Sequence, residues 1–155
     1  MEKTNVMRLL DAAGVSYTAY TYDPALTDAV LVAKAAGKSA DATFKTLVTA
    51  GASGAHYVFM IPANCTLHLK KAAKAVGEKS VALIPQRALL PLTGYVHGGC
   101  SPLGMRKRFP TVINDTAELF PVICFSAGRC GAQVEADPVA LAGLIHAIFC
   151  DVTEE

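Results

Sequence analysis

Apolar positions recur along the chain with two periods, and each period names an element. Val6, Leu9, Leu10 and Ala13 follow the helical repeat behind a Thr4 or Asn5 cap, and Gly14 stands where such a helix stops. Residues 16–22 are rich in Tyr and Thr and predict a strand closed by Asp23-Pro24. Asp28 opens a short helix through Leu31, Val32 and Ala35 that ends at Gly37. Two strand-like runs, 43–50 and 56–61, are joined by Gly-Ala-Ser-Gly, whose glycines supply the positive φ of a hairpin loop. Leu67, Ala72, Ala73 and Val76 fit a helix over 66–76 stopped at Gly77, with Lys70 and Lys74 one turn apart on another face.

Further on the segments shorten. The pattern predicts a strand at 80–83, a short helix after Pro85, and strands at 95–97, 111–114, 122–126 and 132–135 separated by glycine-bearing loops. Pro138 opens a last helix over 138–149. Helices at both ends thus flank a mostly antiparallel sheet, an α+β arrangement. No repeat or linker interrupts it, and residues 1–155 have the size of one ordinary domain.

Composition changes the picture in three ways. The chain is 52% hydrophobic, yet no stretch approaches the roughly 18 apolar residues of a membrane span. The N-terminus carries no apolar core of a signal peptide, so a cytoplasmic protein is expected. Five scattered cysteines, with neither a C-x-x-C pair nor zinc spacing, read as reduced thiols, and neither a metal nor a cofactor is expected. A net charge of +1 excludes the broad basic surface of a tight nucleic-acid binder and leaves room only for a local, transient RNA contact.

Candidate chemistry gathers at a few places. Side chains alternate along a strand, so Lys45 shares a face with Leu47, while Phe44, Thr46 and Val48 take the other. A lysine there is either an edge-strand gatekeeper or an ammonium at a pocket wall, and the pattern does not choose. Gly98, Gly99 and Gly104 free a loop to aim its N–H groups at an oxyanion or phosphate, or simply to bend. Cys100 and Ser101 in that loop lack the strand–turn–helix setting of a nucleophile elbow. Ser126 enters a second glycine-bearing loop with Arg129 at its tip. The four histidines fall on separate elements, which favours surface or core roles over general-base work. Lys70, Lys71, Lys74 and Lys79, and again Arg106, Lys107 and Arg108, are either solvated faces or phosphate contacts.

In order along the chain stand Tyr20 before Asp23-Pro24, Phe44-Lys45-Thr46-Leu47, Leu69-Lys70-Lys71 with Lys74, and Thr93-Gly94-Tyr95-Val96. Gly98-Gly99-Cys100-Ser101-Pro102-Leu103-Gly104, the run from Lys107 to Val112, and Ser126 with Gly128 and Gly131 complete the set. This series resembles the YbaK family of Cys-tRNA(Pro) and Cys-tRNA(Cys) deacylases, and the likeness spans nearly the whole chain. It implies a compact α+β domain with a barrel-like sheet, related to the editing insertion of prolyl-tRNA synthetase. It implies a trans-editing enzyme that removes cysteine from tRNA(Pro), with that synthetase as a partner. By the same resemblance Lys45 is the catalytic residue, and Tyr20, Thr46, Gly98, Gly99 and Ser126 bind substrate. The family's reaction is substrate-assisted: the cysteinyl thiol attacks its own ester, and the protein orients it.

Two positions depart from the family pattern. Gln133 stands where some members carry aspartate, and His68 stands in the usual aspartate position before Leu-Lys-Lys. The first removes a charge from the pocket and leaves open whether cysteine or another small amino acid such as alanine is preferred. Two other readings compete. One is a binding module for tRNA or nucleotide that keeps the fold without turnover, and the other is a thiol hydrolase using Cys100.

Overall fold

The computed structural model describes residues 2–154. Thr4 caps α1 (Asn5–Ala12) through its hydroxyl, which accepts the Met7 N–H, and Val6, Met7 and Leu10 turn inward. β1 (Tyr17–Thr21) leads to α2 (Ala29–Ala35), capped by Asp28. The hairpin of β2 (Phe44–Gly51) and β3 (His56–Pro62) follows, with Lys45 opposite Ile61 and Thr46 opposite Met60. Then come α3 (Leu69–Val76), β4 (Val81–Leu83), α4 (Gln86–Thr93), β5 (Thr111–Asn114), β6 (Ile123–Ser126), β7 (Ala132–Ala136), α5 (Pro138–Ile145) and β8 (Ile148–Cys150).

The strands form two sheets, ordered β1-β7-β6 and β4-β2-β3-β5-β8. In the three-stranded sheet Phe125, Val134 and Ala132 turn to a core shared with α1 and Leu141 of α5. Alternation therefore puts Tyr20, Gln133, Ser126 and Glu135 on its other face. β3 is buried on both faces: Phe59 and Ile61 pack with Ala72 and Ala73 of α3, whereas Val58 and Met60 face the opposite way. A single parallel bridge, Thr43 to Cys124, joins β2 to β6 and so links the sheets.

The α+β class is as the sequence implies, with helices packed on sheets, but the sheets do not close into a barrel. The larger one is also mixed, because β5 runs parallel to both β3 and β8. Three elements differ from their sequence reading. Residues 66–68 stay extended: Leu67 bridges Thr153 and the His68 N–H donates to Val152 O, so the buried Leu67–Val152 contact wins over helix propensity, and His68 caps α3 instead. Residues 95–97 have no neighbouring strand; Gly94 ends α4 at φ 85, and the Tyr95 hydroxyl donates to Leu103 O, pinning a loop. The last helix stops at Ile145, where His146 adopts φ 56, and Ile148–Cys150 leaves to pair with β5.

Candidate active site

The bridge between Thr43 and Cys124 sets a register that gathers distant residues. Two positions further along each strand lie Lys45 on β2 and Ser126 on β6. Ser126 pairs across β7 with Gln133, and Gln133 pairs with Tyr20 on β1. β4 pairs with β2 only at residues 49–51, so beyond the bridge no strand covers the outer edge of residues 44–47. The sheets diverge there, and the wedge between them is a cleft of about 340 Å³. α2 and Leu89 of α4 form its remaining sides.

Lys45, Thr46, Gly98 and Ser126 all line this cleft. The Lys45 ammonium donates to Ala63 O at 3.2 Å, and among the described residues no carboxylate lies within ion-pair reach of it. It is an uncompensated, half-buried positive charge, the condition in which a cation attracts an anionic or carbonyl oxygen most strongly. Ser126 Oγ accepts the Gly128 N–H at 3.1 Å, which fixes the second loop against the cleft. Gly98 has φ 87, and a Cβ there would lie 2.9 Å from Thr27 Cγ2, so glycine is required both for conformation and for space.

Gly99 and Tyr20 stand elsewhere. A Cβ on Gly99 would meet the Cys130 backbone nitrogen at 2.9 Å, and its own N–H donates to Val96 O. Gly99 therefore lets the two glycine loops touch, and its N–H is not free to cradle an anion. Tyr20 shares the sheet face of Gln133 but does not line the cleft; its hydroxyl donates to Glu135 Oε1 at 3.1 Å and accepts from Lys38 Nζ at 2.8 Å. Lys38 sits 4.1 Å from the centre of the Tyr20 ring and 3.3 Å from Glu135 Oε2. The Tyr20 hydrogen bond, then Glu135, holds the Lys38 ammonium above its ordinary pKa, with burial opposing. This network fastens the chain beyond α2 to the three-stranded sheet.

Neither Cys100 nor Ser101 is an activated nucleophile. Cys100 is 8% exposed, and burial pushes its thiol up to about 12, so it stays protonated at neutral pH. Ser101 is fully buried and accepts the Leu103 N–H rather than facing a base. Among the described residues no cluster of three or more His, Cys, Asp or Glu is placed to hold a metal ion.

Sequence reasoning missed several lining groups. Tyr22, Asp28, Val32 and His97 reach the cleft through the fold of α2 and of the loop after α4, which no local periodicity reveals. Asp28 is legible only as a helix cap, and it serves as one: its Oδ1 accepts the Val30 and Leu31 N–H groups at 2.9 and 3.1 Å. Two other atoms stand out. Thr46 Oγ1 and Gln133 Oε1 are buried and have no hydrogen-bond partner among the described residues.

Comparisons with known proteins bear on the fold and the family. The chain is 40% identical over 154 residues to EbsC of Enterococcus faecalis, a protein named for an inferred Cys-tRNA(Pro)/Cys-tRNA(Cys) deacylase activity. That alignment covers 98% of this chain and 94% of the relative. A structure solved as that of a proposed trans-editing enzyme for prolyl tRNA synthetase superposes with TM-score 0.84 at 24% identity, covering 99% of this chain and 100% of that one. Another, described only as a hypothetical protein, gives TM-score 0.89 at 23% identity over 97% and 100% of the two chains. At these identities the two structures speak for the fold alone. Residues 23–144, which hold every cleft-lining group named above except Tyr22, match a family model described as an aminoacyl-tRNA editing domain. The chain belongs to the aminoacyl-tRNA editing domain family.

Proposed function

We propose that the whole chain acts as one cytoplasmic trans-editing unit that discharges mischarged tRNA, with Cys-tRNA(Pro) as its first substrate. The observation that carries this reading is the Lys45 ammonium, which has no ion-pair partner among the described residues, in a cleft whose cysteine is held protonated. A reaction performed there draws its nucleophile from the substrate or from water. With a cysteinyl ester, the thiol sulfur attacks its own ester carbonyl carbon, the bond to the ribose oxygen breaks, and the thiol proton ends on that oxygen. Lys45 is the residue that holds the ester or phosphate oxygen, and Thr46, Gly98 and Ser126 contact the terminal aminoacyl-adenosine. Tyr20 acts at one remove through Lys38, and Gly99 by keeping the loops together. Orienting an intramolecular attack is worth on the order of 7 to 11 kcal/mol when the geometry is right, which is sufficient without acid–base machinery.

The net charge of +1 offers little long-range attraction for RNA and supports delivery of the tRNA by prolyl-tRNA synthetase. The test is deacylation of Cys-, Ala- and Pro-tRNA(Pro) by the wild type and by Lys45→Ala. The expected result is turnover of the cysteinyl ester that falls at least about a hundredfold in the variant. Equal rates for the two proteins remove Lys45 from the site, and turnover of the alanyl ester alone reassigns the amino acid.

A further inference from the structure

Gln133 and Thr46 come from different sheets, yet both line the cleft, and each buries a polar atom with no partner among the described residues. Gln133 is only 6% exposed. Its place on β7 beside Ser126 turns it to the cleft face of its sheet, away from the Phe125–Val134 core. Leaving a buried acceptor unsatisfied is costly, whereas an apolar residue of similar shape carries no such cost. A ligand that fills the cleft expels water from it. A ligand group that donates to Gln133 Oε1 and accepts from the Thr46 hydroxyl, as a thiol or hydroxyl does, then satisfies both atoms.

The surroundings limit what the donor is. Thr46 follows Lys45 directly, and the uncompensated ammonium disfavours a second cation in the same cleft. Of the nearby carboxylates, Glu135 is held by Lys38 and Tyr20, and Asp28 turns Oδ1 to the cap of α2. A neutral group therefore fits beside Lys45 better than a second ammonium.

We infer that Gln133 and Thr46 together form a selectivity element that receives the side-chain donor of a small thiol- or hydroxyl-bearing aminoacyl group. This rests on the aminoacyl-tRNA reading proposed above and adds to it the residues that choose the amino acid. Cysteinyl and seryl groups satisfy the pair, while alanyl and prolyl groups leave both atoms orphaned. Rejection of a group lacking the donor follows from the unpaired polar atoms it leaves behind.

The experiment measures binding apart from chemistry, using adenosines whose 3′ position carries cysteine, serine or alanine through an unreactive amide. Affinities are determined for the wild type, Gln133→Leu and Thr46→Val, and thermal unfolding of each protein is recorded. The wild type is expected to prefer the cysteinyl and seryl compounds over the alanyl one by about ten- to a hundredfold. Either substitution is expected to bring that ratio near one, with a melting temperature equal to or above the wild type. A wild-type ratio near one overturns the inference. So does a uniform loss for all three ligands, since it assigns the pair to the α-ammonium or the adenosine, and so does a fall in melting temperature that leaves the ratio intact. Should Gln133→Leu fail to fold, Thr46→Val decides, because it exchanges a hydroxyl for a methyl at constant shape. Selective binding without Lys45-dependent turnover of Cys-tRNA(Pro) leaves the inference standing and removes the deacylase reading; the reverse pattern does the opposite.

Discussion

Lys45 and Cys100 show how environment separates two reactive side chains at one cleft. Both lie at the same cleft, but the lysine keeps an accessible charge while the cysteine is sealed among Val48, Val58 and the side chains of α4. With its thiol pushed up to about 12, Cys100 has almost no thiolate at neutral pH. Iodoacetamide at pH 7.5 is therefore expected to leave Cys100 unlabelled in the folded protein, as read by mass spectrometry. Cys100→Ala should retain turnover within about threefold of the wild type, whereas a thiol hydrolase would lose it entirely. The placement of Lys45 on a strand was legible from alternation, but its role was not, because a gatekeeper lysine and a pocket lysine have identical sequence surroundings. Only the ordered series of motifs separated them. The orphaned atoms of Thr46 and Gln133 were beyond any sequence reading, since partner counts exist only in three dimensions.

Among the elements, the β2–β3 hairpin is held at its tip by one carboxylate. Glu78, just after α3, accepts from the Ser53 hydroxyl and backbone N–H and from the Tyr57 hydroxyl at 2.6 Å. Gly51 makes room for it, since a Cβ there would lie 2.4 Å from Glu78 Cδ. The Ser53 hydroxyl first, then Tyr57 and the Ser53 amide, hold this carboxyl below its ordinary pKa. Its contribution to stability is thus complete above the unfolded carboxylate value of about 4.3 and disappears as pH falls through the lower folded value. Melting temperatures of wild type and Glu78→Gln should differ by a constant amount between pH 5 and 7 (roughly, within the plateau) and converge in stronger acid. Helices with clear caps, such as α1 behind Thr4 and α2 behind Asp28, were legible because cap and period agree locally. The end of α5 was not. The apolar run through Phe149 suits a buried helix and a buried strand equally, and only pairing with β5 decides between them.

For the whole molecule, the α+β class followed from the order of elements, whereas the division into two sheets did not. Pairings such as β1 with β7 and β3 with β5 join segments far apart in the chain, and local pattern carries no record of them. One ladder rung connects the sheets, at Thr43 and Cys124, and the wedge opens just past it. A molecule seated there touches Lys45 and Thr46 on one side and Ser126 and Gln133 on the other, so it spans from one sheet to the other. Occupancy and rigidity become a single quantity: the unreactive cysteinyl-adenosine amide should raise the melting temperature in proportion to its saturation. Hydrogen exchange should slow at the amides of residues 44–47 and 126, while those of α3, which does not line the cleft, keep their rates. A cleft built this way is braced by the molecule it holds, and a molecule too short to reach both walls leaves that brace unmade.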